Sequence, residues 1–186
     1  MSSTKEAPAS RPDSARPSLA RLLASMLYEG LAVAAILLAG ALAFVGAAAV
    51  ARGGQPFQAG PVAQTLLQVF LVGLLAAYFV RCWTRGGQTL AMKAWKLRVV
   101  MPDGTPLGHG RATVRFVLAA AIIGPAVVAA AYLWRHPEAR VAWLAAAPAL
   151  ADLAWPLADR DRRLLHDRLA GTRIIFAPPT TSSPLR

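Results

Sequence analysis

The feature that most constrains this chain is an unbroken apolar run, residues 31–51, which contains no charged side chain. At about 1.5 Å per residue, a helix of this length crosses the roughly 30 Å hydrocarbon core of a bilayer. A signal peptide is the alternative, because Ala49, Val50 and Ala51 resemble a cleavage site. The run is longer than the usual apolar core of a signal peptide, about 7–15 residues, and a long segment with acids precedes it. A retained transmembrane helix is therefore favoured.

Three further apolar segments follow, so the chain is predicted to be an all-α membrane protein with about four transmembrane helices. Of its residues, 56% are hydrophobic and only 16% are charged, which is unlike a soluble domain. The predicted spans are residues 22–51, 61–81, 112–134 and 141–157. Gly124 and Pro125 are expected to interrupt the third span. Tryptophans such as Trp83 and Trp134 lie near span ends, as interfacial anchors do.

Outside the spans, the chain is expected to divide into tails and two structured segments. Residues 1–19 and 177–186 are polar and predicted to be disordered, and residues 20–176 form the membrane domain. In the loop 81–115, Gly86 and Gly87 indicate a turn that opens a short helix, and residues 95–101 have strand character.

The segment 158–176 is expected to contain a short amphipathic helix at the membrane interface, with Leu164, Leu165 and Leu169 on one face. Gly171 would end this helix, and residues 172–176 resemble a strand. Two short strands on the same side of a membrane should pair, because unpaired backbone groups are costly. We therefore expect residues 95–101 and 172–176 to form a small sheet.

The distribution of basic residues predicts the orientation. Seventeen of the twenty Lys and Arg residues fall in the N-terminal tail, the loop 81–115 and the C-terminal segment. By the positive-inside rule, these three regions, which include both chain termini, are predicted to face the cytoplasm. The basic loop is expected to meet anionic lipid headgroups there. Its structural or lipid-facing basic residues are Arg81, Arg85, Lys93, Arg111 and Arg115.

Two acids fall inside predicted spans and are the first candidates for a functional site. Glu29 lies about 12 Å into the membrane if the first helix begins near Arg21, and Asp152 lies at a similar depth on the fourth span. Intramembrane acids are costly and mark functional sites by default. A structural role is an equal alternative, either as an ion pair with Arg21, Arg81 or Arg115 or as a protonated acid satisfied by a neighbouring helix. Both are expected to face the bundle interior, and at least one should contact a basic or polar side chain of another span. The ligand or ion candidates are Glu29, Asp152, Gln64 and Gln68.

The remaining polar motifs give weaker signals. His166 and Asp167 could form an acid/base pair, but a structural hydrogen bond that holds the interfacial helix is favoured, because no nucleophile stands near them. Gly86 and Gly87 could cradle an anion, but the loop lacks the ending of a nucleotide-binding P-loop. The single cysteine, Cys82, excludes an intramolecular disulfide and a cysteine metal site. No cofactor, metal or nucleic acid is expected.

Several of these stretches together resemble the RDD family of bacterial membrane proteins. They are RGGQTLAMKAWKLRVV after the second span, followed by DG and PL, and LLHDRLAGTRII near the end. The resemblance covers roughly residues 19–176. Of the arginine and two aspartates that name the family, Arg21 and Asp167 match, and Glu29 stands where the first aspartate is expected. The motif residues outside the spans are Gly86, Gly87, Gln88, Thr89, His166, Gly171 and Thr172.

Two classes of function remain open. The resemblance implies transport of unidentified ligands, and four short spans would need an oligomer to form a pathway. The alternative is a non-catalytic membrane scaffold or assembly partner that acts through its basic cytoplasmic face. An enzyme is not expected.

Overall fold

A computed structural model describes residues 17–55 and 60–177. Most of the predicted tails, residues 1–16 and 178–186, therefore lie outside the described residues. In chain order the elements are α1 (Leu19–Ala51), α2 (Pro61–Arg85), α3 (Leu90–Ala94), β1 (Leu97–Val100), α4 (His109–Arg135), a 3-10 helix (Arg140–Ala146), α5 (Ala147–Ala158), α6 (Leu165–Leu169) and β2 (Arg173–Phe176).

Four helical stretches in the described chain are long and apolar enough to cross a membrane, as the sequence predicts. The first is α1, whose 33 residues rise about 50 Å, well beyond the thickness of a hydrocarbon core. It begins at Leu19 because the Ser18 hydroxyl caps it, accepting a hydrogen bond from the Arg21 backbone N–H at 3.3 Å. Helix α1 is therefore longer than the crossing of a hydrocarbon core requires.

The third and fourth spans differ in detail from the prediction. The expected interruption at Gly124 and Pro125 is absent, because α4 runs through both residues as one helix. Proline is tolerated in membrane helices where neighbouring groups satisfy the backbone carbonyl that it leaves free. The fourth span starts as the 3-10 helix and becomes α5, which has a proline in its first turn.

The long helices pack side by side, with α2 between α1 and α4, and with α4 against the 3-10 helix and α5. Helices α1 and α2 approach closely at Gly40, where an added Cβ would lie 2.7 Å from Leu74 Cδ2. Few residues of the spans are buried within the chain, and the exposed surface of the helices is largely leucine and valine. This surface is suited to contact with lipid or with another protein in the membrane.

The predicted sheet is confirmed. Strands β1 and β2 pair antiparallel, with Leu97 opposite Phe176 and Val100 opposite Arg173. The second edge of β1 is covered by the loop after α2, because the Val99 N–H donates to the Gly87 carbonyl at 2.7 Å. The Gln88 side chain also donates to the Leu97 carbonyl at 2.6 Å. Both edges of β1 are therefore satisfied.

The main hydrophobic core lies around this sheet and not between the spans. Its buried members are Trp83, Met92, Leu97, Val99, Leu107 and Ala112. We use the name "sheet end" for this part of the molecule: α3, α6, the two strands and the ends of α1, α2, α4 and α5 that meet them.

The expected amphipathic helix is only partly as predicted. It is the single turn α6, and Gly171 follows it with φ +65°. Leu164 is buried but Leu169 is 57% exposed, so the leucines do not share one buried face. The side chains that α6 buries are those of His166 and Asp167. Helix α6 packs against α4 and α5. The contacts of its two buried polar side chains hold it there, and a leucine face does not.

Candidate functional site

Glu29 is held at the sheet end by two hydroxyl groups. The Tyr78 hydroxyl on α2 donates to Glu29 Oε1 at 3.2 Å, and the Thr89 hydroxyl donates to Glu29 Oε2. Thr89 is fully buried and caps α3, accepting from the Met92 N–H at 3.2 Å. Tyr78 is itself fixed by the Leu90 N–H, 3.3 Å from its hydroxyl oxygen. The predicted contact between an acid and a polar side chain of another span is present.

Two of the three basic residues considered as partners for Glu29, Arg21 and Arg115, contact other side chains, and the third, Arg81, is exposed. Within the described chain Glu29 forms no ion pair. The Arg21 guanidinium lies 4.2 Å above the Phe176 ring, and Arg115 pairs with Asp167. Glu29 is only half-buried. It therefore combines a carboxyl group, two hydroxyl oxygens and partial accessibility, and in the described chain no basic side chain lies within ion-pair distance of it.

Glu29 lies ten residues after the start of α1, at the sheet end of that helix. The run 31–51 is sufficient to cross the hydrocarbon core without the preceding turns of α1. Glu29 lies beside Thr89, which follows the end of α2. Glu29 therefore precedes the charge-free run and stands close to the segment that joins α2 to α3.

Asp152 has a different environment. Its side chain is almost fully buried, with 1% of the residue exposed. The His166 backbone N–H donates to Asp152 Oδ1 at 2.9 Å, and His166 Nδ1 lies 2.9 Å from Oδ2. Both contacts join α5 to α6. Asp152 faces the interior as predicted, but its partner is His166 and not an arginine.

Asp167 pairs with Arg115 in the same region. Arg115 Nε donates to Asp167 Oδ1 at 2.7 Å, and the Thr172 hydroxyl donates to the same oxygen at 3.2 Å. The Arg115 guanidinium also lies 4.2 Å above the Trp83 ring. Arg115 is 2% exposed and Asp167 is fully buried. This ion pair fixes α6 and the start of β2 to α4 and α2, so Arg115 is structural and does not face lipid.

A third acid, Asp159, fastens the end of α5. The Arg163 backbone N–H and Nε donate to Asp159 Oδ2 at 3.0 and 3.2 Å, and Arg168 Nη1 donates to Oδ1 at 3.0 Å. Burial, the largest single influence, raises the pKa of Asp159. The hydrogen bonds from Arg163 and the charges of Arg163 and Arg168 together outweigh it, and the pKa lies below its usual value.

The structure does not bring the two glutamines to the acids. Gln64 and Gln68 are exposed on α2. Because Gln68 precedes Tyr78 by ten residues, it lies about 15 Å farther along the helix, and Gln64 lies about 21 Å away. Among the described residues, Glu29 and the two glutamines therefore do not form one site. In the described part of the chain, no three His, Cys, Asp or Glu side chains could hold a metal ion together.

The predicted basic and motif residues fall into two groups. Arg81, Arg85, Lys93 and Arg111 are exposed at the sheet end, and Arg111 reaches the Ala170 carbonyl at 3.4 Å. The motif residues have structural positions. Gly86 caps α2, Gly87 and Gln88 bind β1, Thr89 caps α3 and holds Glu29, and Thr172 holds Asp167.

Sequence reasoning missed Tyr78 and misjudged Trp83. Trp83 was interpreted as an interfacial anchor, but it is 3% exposed and supports Arg115. The sequence does contain a signal for Tyr78. A phenol near the end of an apolar span needs a hydrogen-bond partner, and an acid on a neighbouring span can provide one.

Comparison with known proteins agrees with this architecture. No curated protein and no solved structure matches the chain. The model of the RDD family matches residues 16–171, which is most of the chain and includes all the acids described above. Four helices long and apolar enough to cross a membrane, and a small sheet, are as predicted from the sequence. The chain therefore belongs to the RDD family and is a multi-pass membrane protein.

Proposed function

We propose that the protein moves a small cation or another small solute across the bacterial cytoplasmic membrane, without enzymatic activity, and that Glu29 binds the transported species. The observation that carries the proposal is that Glu29, on a membrane-crossing helix, has two hydroxyl partners and no ion pair within the described chain. Acids of membrane helices that are not neutralised by a basic group mark ion or proton pathways by default.

The chemistry at Glu29 is suited to a hard cation or a proton. The Glu29 carboxylate and the Tyr78 and Thr89 hydroxyls are all oxygen ligands, which hard cations prefer. Both hydroxyls donate hydrogen bonds to the carboxylate. If a cation bound there, each hydroxyl hydrogen would rotate away and the hydroxyl oxygen would coordinate the cation through a lone pair. The other two buried acids of the motif region have basic or histidine partners, Asp152 with His166 and Asp167, through Oδ1, with Arg115. Among the described residues, Asp167 Oδ2 has no hydrogen-bond partner.

An oligomer is the proposed working form. The exposed amides of Gln64 and Gln68 lie on an otherwise apolar surface of α2. A primary amide in lipid lacks hydrogen-bond partners, so a second copy that offers polar groups at this surface would stabilise it. A pathway lined by Gln64 and Gln68 between copies would continue from the level of Glu29 toward the other side of the membrane.

For the orientation, we propose that the sheet end, with both chain termini, faces the cytoplasm. The support is the concentration of basic residues there, including the exposed side chains of Arg81, Arg85, Lys93 and Arg111. The anionic lipids of the cytoplasmic leaflet would then be neighbours of this surface.

A second function is favoured by the ion pairs of α6. Arg115 with Asp167 and His166 with Asp152 fix the sheet to the helices. Such a rigid basic surface would suit a non-catalytic scaffold that recruits or assembles other membrane proteins. In that case the only role of Glu29 would be to hold α3 against α1 through its hydrogen bond with Thr89.

Flux measurements on purified protein in proteoliposomes discriminate between the two functions. The probes are protons, followed with a pH-sensitive dye, and a panel of monovalent cations. We expect wild-type protein to conduct at least one probe above the level of empty vesicles. The variant Glu29→Gln should abolish this flux while retaining the wild-type amount of folded protein. The matched control is Glu138→Gln, an exposed acid between α4 and the 3-10 helix, which should conduct normally.

Absence of flux from wild-type protein with every probe would contradict transport of these ions and favour the scaffold. Flux that persists in Glu29→Gln at the wild-type rate would show that Glu29 is not the binding group, even if the protein is a transporter.

A further inference from the structure

A concave surface that the transport proposal does not use lies where α2 meets the sheet. Its volume is about 310 Å³. It is lined by the last turn of α2, the loop glycines, β1 and the turn after it, and its charged lining residues are Arg85 and Arg98. We call it the Arg85–Arg98 pocket.

The side chain of Arg98 is seated by Gly87. A Cβ added to Gly87 would lie 2.8 Å from Arg98 Cγ and 3.5 Å from Arg98 Cδ, so the stem of Arg98 lies directly across the glycine. Arg85 comes from the end of α2, a different element. Two arginines from separate elements therefore line one concavity.

Both arginines are available to a ligand. Arg85 and Arg98 are exposed, and within residues 17–55 and 60–177 neither forms an ion pair with an acid. This differs from Arg115, Arg163 and Arg168, which are paired with aspartates. The acid nearest in sequence to the lining is Asp103, whose Oδ1 already accepts from the Thr105 N–H and hydroxyl.

The backbone does not supply the donors of this pocket. The Gly86 and Gly87 N–H groups donate to the carbonyls of Cys82 and Trp83, and the Thr84 hydroxyl donates to the Val80 carbonyl at 2.8 Å. An anion here would thus be bound by guanidinium groups, which present paired N–H donors that match phosphate oxygens.

We propose that the Arg85–Arg98 pocket binds a phosphate-bearing anion, the headgroup of an anionic membrane lipid. The pocket begins at Thr84, one turn beyond Val80, where the apolar run of α2 ends. That position is at the level of lipid headgroups if the run occupies the hydrocarbon core. The volume accommodates a phosphodiester with a small alcohol. The proposal is independent of any role of Glu29.

The test is lipid binding to the full chain in a neutral detergent, followed by native mass spectrometry and by thermal unfolding. The probes are short-chain phosphatidylglycerol, short-chain phosphatidylcholine and inorganic phosphate. The pocket variant is R85Q/R98Q. The matched control is K93Q/R160Q, which removes two exposed positive charges of the sheet end outside the pocket.

We expect wild type and the control to bind phosphatidylglycerol more tightly than phosphatidylcholine, and R85Q/R98Q to bind phosphatidylglycerol at least about tenfold more weakly, since each basic residue near a headgroup contributes on the order of fivefold. The single variants Arg85→Gln and Arg98→Gln should each give part of this loss, and they provide the test if the double variant is not recovered folded.

Equal weakening in the pocket variant and the control would overturn the proposal in favour of diffuse attraction between charges. If the pocket bound inorganic phosphate but showed no preference for phosphatidylglycerol, the proposal that its ligand is a lipid headgroup would be wrong. The pocket would then be assigned to a soluble phosphate compound.

Discussion

Arg115 Nε donates to Asp167 Oδ1 at 2.7 Å across fifty-two positions of sequence, and both side chains are buried. Removal of one partner of such a pair leaves a buried charge without compensation, which typically costs about 3–5 kcal/mol. We predict that Arg115→Gln lowers the free energy of unfolding by this amount, as measured by thermal or denaturant unfolding in detergent.

The control for this prediction is Arg111→Gln on the same helix. Arg111 is exposed and makes one long contact, 3.4 Å to the Ala170 carbonyl. Its replacement should cost less than about 1 kcal/mol. Similar losses for Arg111 and Arg115 would show that the buried pair has no special structural role.

The second prediction concerns Gly87. Its φ is +67°, and an added Cβ would lie 2.7 Å from the Val99 carbonyl oxygen, a backbone atom that cannot move without disturbing β1. Gly87→Ala should therefore destabilise the folded protein by about 1–3 kcal/mol. Gly86→Ala is the adjacent control, since Gly86 has a negative φ and nothing within 4 Å of an added Cβ. Equal melting temperatures for the two variants would contradict this account.

The third prediction is a pH dependence that arises from Asp159. Its pKa in the folded protein lies below the usual value, since hydrogen bonds and charges from Arg163 and Arg168 outweigh the effect of burial. A carboxyl group with a lowered pKa contributes stability that is present above its unfolded pKa, about 4, and is lost as pH falls through the folded pKa.

Asp159→Asn should therefore melt at a lower temperature than wild type near pH 7, and the difference should shrink as the pH falls below about 4. Melting curves of both proteins from pH 7 to pH 3 test this. A difference that stays constant over the whole range would mean that the charge of Asp159 does not stabilise the fold.

The fourth prediction is topology. Gly54 follows α1 and Glu138 precedes the 3-10 helix, so both lie at the end of the helices opposite the sheet. Reporter fusions at these two positions should give activity typical of the outer side of the membrane, and a fusion at Asp103 should give activity typical of the cytoplasm. Cytoplasmic activity at Gly54 or Glu138 would reverse the proposed orientation.

Much of the fold was predictable from local pattern. Long uninterrupted apolar runs predicted the four spans, and the strand-like residues 95–101 and 172–176 predicted the sheet. Both patterns can be recognised within a single segment of sequence, without knowledge of how the segments pack. The continuity of α4 through Pro125 was not predictable, because the environment of a proline in a membrane helix decides whether the helix breaks.

The partners of the acids were not predictable for a different reason. Asp152 with His166 and Asp167 with Arg115 are contacts between helix ends distant in sequence, so they depend on how α4, α5 and α6 pack. The sequence offers arginines and the glutamines of α2 as the evident partners of an intramembrane acid. In the structure the partners of Glu29 are two hydroxyl groups. Hydroxyl residues are uncharged, so a search for opposite charges in the sequence does not find them.

We propose that Glu29 binds the transported ion, whereas Asp152 stabilises the fold through its contacts with His166. The most direct test is ion flux per folded molecule in proteoliposomes, compared for Glu29→Gln and Asp152→Asn. Glu29→Gln should retain nearly the wild-type amount of folded protein and lose flux. Asp152→Asn should lower the amount of folded protein, while the molecules that remain conduct at the wild-type rate. The reverse result, in which Glu29→Gln lowers the folded amount and the surviving molecules conduct normally, would contradict the account.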